Sequence, residues 1–187
     1  MTESYPWLST YPSNVNWHAA LEPKPLFALL DDATTEWTTR PAVHFLGRRL
    51  TYAELHAASA LLAGGLQRMG VKRGVKVGLC LPNCPQFIIA YYAILRCGGT
   101  VVNFSPLYVG KEIARQVTDS DTEIMITLSL NALYPKVAES LGTTCLKKNH
   151  RIGSAGFSAA AKSQGIFAAE EKRNCQDSAK LRSYSLE

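Results

Sequence analysis

Histidine and cysteine are the side chains here best suited to nucleophilic, acid–base or metal chemistry, and their spacing is uninformative. His18, His44, His56 and His150 are dispersed, and none stands at ligand spacing from another His, Asp or Cys. A lone histidine is usually structural or solvated. Cys80, Cys84, Cys97, Cys145 and Cys175 are odd in number and irregularly spaced, which points to free thiols in a reducing compartment. Cys80-x3-Cys84 could face a metal, but zinc takes four ligands and no second pair lies near. Cys80 falls in an apolar strand and Cys97 at the end of an apolar helix, so burial is the expected role. Gly156-Phe157-Ser158-Ala159-Ala160-Ala161-Lys162-Ser163 has the spacing of a P-loop with Ala161 in place of the second glycine. A P-loop must also follow a buried strand, and Lys147-Lys148-Asn149-His150-Arg151 does not read as one. No G-x-G-x-x-G fingerprint occupies a strand-to-helix turn and no G-x-S-x-G elbow is present. The residues themselves assign no catalytic, cofactor-binding or metal-binding position.

Composition narrows the class. The 187 residues are 47% hydrophobic and 19% charged, enough apolar material for a real core. The net charge of +5 is spread over scattered pairs such as Arg48-Arg49, Lys72-Arg73 and Lys147-Lys148. Nucleic-acid binders instead gather their cations on one face, so no nucleic-acid partner is expected. The longest strictly apolar run, Phe87 to Leu95, is about half the roughly 18 residues that suggest a membrane span. The start, Met1-Thr2-Glu3-Ser4-Tyr5-Pro6, has neither a basic region nor an apolar stretch. A cytoplasmic protein without a membrane span is expected.

The elements that would position any chemistry alternate between Leu26 and Leu146. Leu26, Phe27, Leu29, Leu30, Ala33 and Trp37 suit an amphipathic helix closed at Arg40-Pro41. Ala42–Phe45 and Arg49–Thr51 read as a hairpin turned at Gly47-Arg48. Thr51 and Glu54 form a capping box for a helix ending at Gly70, within which Gly64-Gly65 would permit close packing. Lys76–Leu81 is a strand; Asn83 can cap a helix running to Cys97 and closed by Gly98-Gly99. Thr100–Asn103 is the next strand, Lys111–Ser120 a helix, Glu123–Leu128 a strand and Tyr134–Leu141 a helix. Strands and helices in alternation imply parallel strands with right-handed crossovers, hence an α/β class with helices on both faces of a partial parallel sheet. Phe87 to Leu95 is apolar all round, so with one face on the sheet the opposite face is expected to be left uncovered and to drive self-association or capture of a partner. From Asn149 to Glu187 only Ile152, Phe157, Ile166, Phe167, Leu181 and Leu186 are Leu, Ile, Val or Phe. That is about 15%, under the roughly 20% below which ordering entropy is hard to offset. Three regions follow: an N-terminal extension over residues 1–25, an α/β subdomain over 26–148, and a low-complexity tail over 149–187, expected to be disordered.

These residues also carry a resemblance. Thr51-Tyr52-Ala53-Glu54-Leu55, Gly70-Val71-x-x-Gly74-x-x-Val77, Leu81-Pro82-Asn83, Ala93-Ile94-Leu95-x-x-Gly98-Gly99, Asn103-x-x-Pro106-Leu107-Tyr108 and Asp119-Ser120 follow one another as in adenylate-forming ligases. Together they resemble the start of an AMP-forming acyl-CoA synthetase. Pro6-Trp7-Leu8 and Tyr11-Pro12 through Pro25-Leu26 are most similar to long-chain fatty-acid–CoA ligases. The resemblance covers about residues 5 to 148; within it Val75 replaces the family's usual Asp, and Gly110 is an atypical helix start.

The resemblance implies a two-step reaction. A fatty acid and MgATP give an acyl-adenylate and pyrophosphate, and coenzyme A then displaces AMP. The Ser/Thr/Gly-rich phosphate loop, the Thr-Glu segment near Mg²⁺, the ribose-binding Asp and the C-terminal catalytic Lys of such enzymes have no counterpart here. No cofactor is therefore expected on this chain, although ATP, Mg²⁺ and coenzyme A serve the intact family. The resemblance ends at Lys148, as it would if the reading frame were lost. The expectation is a truncated fatty-acid–CoA ligase, inactive alone. The alternative is an interaction module that pairs with a full-length or separately encoded ligase part. A third reading, a nucleotide-binding protein using the near-P-loop and Lys162, ranks below both.

Overall fold

Strands without polar alternation must be buried on both faces, and that requirement organises the molecule. In the computed structural model, which describes residues 5–20 and 22–152, β3 (Lys76–Cys80), β4 (Thr100–Phe104), β5 (Ile124–Leu128) and β6 (Lys148–Ile152) form one sheet. The sheet is parallel and its strand order is β4-β3-β5-β6. Helix α3 (Pro85–Arg96) returns the chain from β3 to β4, α4 (Gly110–Ser120) from β4 to β5, and α5 (Tyr134–Ala138) from β5 to β6. Right-handed crossovers in opposite directions along the sheet place their helices on opposite faces. Accordingly α3 packs with α2 (Tyr52–Arg68) on one face, and α4 with α5 on the other.

A smaller layer lies outside α2 and α3. Helix α1 (Ala28–Trp37) and the antiparallel hairpin β1 (Pro41–Phe45) and β2 (Arg48–Thr51) enclose a second core of Leu30, Leu50 and Leu55. Ile88, Ile89 and Tyr92 of α3 pack against it, while Ala90, Ala93 and Ile94 belong to the sheet core. The helix that is apolar all round therefore has cover on both sides, and none of Phe87 to Leu95 is exposed. The uncovered face expected from the sequence is occupied by α1 and the hairpin.

Local signals are met with small displacements. Glu54 N–H donates to Thr51 Oγ1 (3.3 Å) and Thr51 N–H to Glu54 Oε2 (2.8 Å), completing the capping box. At the end of α3, Gly98 takes φ 77° and Gly99 N–H reaches back to Ile94 O at 3.0 Å, a glycine-dependent helix stop. The hairpin turns at Leu46-Gly47, one residue before the expected pair, because Phe45 is paired with Arg48. Both turn residues have positive φ (47° and 76°), as a two-residue hairpin loop matching strand twist requires. Helix α3 starts one residue later than expected, with Cys84 rather than Asn83 at its N-cap.

Two glycine expectations change. A Cβ on Gly64 or Gly65 would meet only the Arg68 guanidinium, at 3.8 and 3.9 Å, so these residues do not serve close packing. At Gly110, atypical as a helix start, a Cβ would meet Glu139 Oε2, the end of an exposed side chain that can move aside; that carboxylate lies against the positive end of α4. The boundary expected after Lys148 falls inside β6, whose residues pair one by one with Ile124–Leu128. Asn149 and Ile152 are buried there, so hydrogen bonding to β5 supplies an order that composition does not signal. The remaining tail, with the near-P-loop at Gly156–Ser163, lies outside the described residues.

Candidate functional site

A doubly wound sheet leaves a crevice where adjacent strands send their following helices to opposite faces, at the carboxyl ends. Here that switch lies between β3, which leads into α3, and β5, which leads into α5. Three turns surround it: Leu81–Cys84 after β3, Ser105–Val109 after β4 and Ser129–Leu133 after β5. None contains glycine. Leu107 and Val109 are 85% and 57% exposed, and Leu130 is 39% exposed, so the rim of this edge is apolar.

Beneath the rim, Cys80 and Thr127 are register partners on β3 and β5 and both are fully buried. Burial pushes the Cys80 thiol up to about 11, against a smaller opposing pull from the Lys136 charge. It stays a neutral thiol at physiological pH and is a poor nucleophile. Thr127 Oγ1 has no hydrogen-bond partner among the described residues. Beside them the Arg151 guanidinium stacks 4.4 Å from the Tyr134 ring. Cys84, at the α3 N-cap, is raised by burial, although the Phe87 and Gln86 amides act the other way. Cys97 is also raised by burial, and its sulfur contacts Ala63 O at 3.3 Å. The structural role expected for Cys80 and Cys97 agrees with these environments.

Two polar groupings lie away from the switch. Tyr108, Glu112, Arg115, Gln116 and Asp119 line an open groove of about 280 Å³ along α4. Gln116 Nε2 there donates to Asn103 O at 2.9 Å, which anchors α4 to the edge strand. At the junction of α1, α2 and α3, Asp31 Oδ1 receives both Arg96 and His56, the latter at 3.1 Å, and Arg96 also covers the Phe27 ring at 5.5 Å. This cluster latches the outer layer to α3. Sequence spacing did not reveal it, since Asp31 and Arg96 are 65 residues apart. Among the described residues no group of three or more His, Cys, Asp or Glu side chains could hold a metal ion. No helix among them is long and apolar enough to cross a membrane.

The architecture has known counterparts. Residues 30–181 match the model of the AMP-binding enzyme family, and the match continues past Lys148. The chain is 37% identical over 136 residues to a long-chain-fatty-acid–CoA ligase of Bacillus subtilis, spanning 73% of this chain and 24% of that protein. It is 35% identical over 127 residues to the ligase of the same name from Salmonella typhimurium, spanning 66% of this chain and 22% of that protein. The chain thus spans about a quarter of the length of the curated relatives it matches. Among solved structures, a long-chain-fatty-acid-CoA ligase from Archaeoglobus fulgidus superposes with a TM-score of 0.66 at 22% identity, covering 79% of this chain and 31% of that one. The ordered motifs, the doubly wound sheet and the family match agree: this chain belongs to the AMP-binding enzyme family.

Proposed function

We propose that the chain supplies the N-terminal α/β part of a fatty-acid–CoA ligase and performs no acyl activation by itself. The observation that carries this reading is the make-up of the carboxyl edge. Phosphates need backbone amides that a glycine-rich turn brings close, whereas the three turns here carry Pro82, Pro106, Leu107 and Leu130 instead. Among the described residues, the carboxyl edge offers no glycine-rich turn for ATP phosphates and no group of three His, Cys, Asp or Glu side chains for Mg²⁺. In a ligase of the relatives' length, the remaining polypeptide would bring the phosphate-binding and carboxylate-activating groups to this edge. Electrostatic stabilisation of the transferring group is usually a dominant part of such catalysis.

The purified chain is expected to catalyse no fatty-acid-dependent exchange of pyrophosphate into ATP above a mock-purified control. Exchange that depends on added palmitate would overturn the reading. The apolar rim of Leu107, Val109 and Leu130 favours a second role, pairing with a separately encoded ligase part. Co-expression with the segment of the Bacillus subtilis ligase beyond the matched region tests it. Acyl-CoA formation, absent from either piece alone, is the expected result; two inactive, non-associating pieces would exclude pairing with that part.

A further inference from the structure

We draw no further inference here: the strongest candidate, the exposed aromatic patch of Trp7, Tyr11 and Trp17 on the N-terminal arm, carries nothing because nothing in the structure shows what covers it.

Discussion

Gly78 sits at the centre of β3, facing α4 and α5, and an alanine there should be distinctly harmful. A Cβ at this position would lie 2.6 Å from Met125 Sδ, 2.8 Å from Phe104 Cε2 and 2.9 Å from Met125 Cε. Ordinary carbon contacts are about 3.5–4.0 Å, so the shortfall is close to 1 Å against two side chains. Met125 is fully buried and Phe104 is 3% exposed, so neither can swing into solvent. Overpacking of this kind costs about 1–3 kcal/mol. Relief of glycine's backbone entropy returns roughly 0.5–1 kcal/mol. With two buried side chains each about 1 Å too close, the upper half of the overpacking range applies, and the net expectation for Gly78→Ala is a loss of about 1–2.5 kcal/mol, a substantial part of a typical domain's margin of about 5–15 kcal/mol. With a mid-range urea slope of about 2 kcal/mol/M, the midpoint should fall by roughly 0.5–1.2 M, read by circular dichroism. Met125→Ala alone should cost about 2–5 kcal/mol through the cavity it leaves. In the double variant the new methyl occupies part of that cavity, so the two losses should be less than additive by about 0.5–3 kcal/mol. A Gly78→Ala protein as stable as the parent, or strictly additive losses, would refute the packing argument.

Further tests follow from the same geometry. Gly64→Ala and Gly65→Ala meet only a flexible guanidinium, so each should raise stability by roughly 0.5–1 kcal/mol; a loss in urea melts would show an unseen packing role. Leu46 is 86% exposed at positive φ, and Leu46→Asn should raise the melting temperature by a few degrees, since Asn-Gly suits this loop; an unchanged or lower value would count against the turn geometry. Glu139→Gln should cost about 0.3–1 kcal/mol at low salt and less at high salt, as a charge near a helix N-terminus does; a salt-independent effect would point to another cause. Burial raises Cys80 above its ordinary value of 9.0, so the unfolded chain ionises first and stability should fall as pH rises from about 9 towards 11. Cys80→Ser should flatten that slope, and an unaltered slope would place its origin elsewhere.

The periodic elements were legible because their signals are local. Thr51 and Glu54 cap a helix three residues apart, Gly98-Gly99 stops one, and the apolar run at Ile124–Ile126 announces a strand buried on both faces. The family was legible too, because short motifs recur in a fixed order. Neither catalytic nor cofactor-binding side chains were read from the sequence, and the described residues place no metal cluster at the switch point.

What the sequence by itself determined was the alternation of helix and strand, and hence the parallel sheet, since hydrogen bonding and side-chain period act over a few residues. What covers an apolar surface is not local. Phe87 to Leu95 reads as a helix without a polar face, and only the tertiary structure decided that α1 and the hairpin cover it, from more than 35 residues upstream. The same holds for β6. Lys148–Ile152 is too polar to announce a strand, and it becomes one because β5 presents a free row of backbone groups beside it. Gly64 and Gly78 differ for this reason as well: a residue's type records which conformations are permitted, but whether a missing Cβ matters depends on the atoms that the fold brings there.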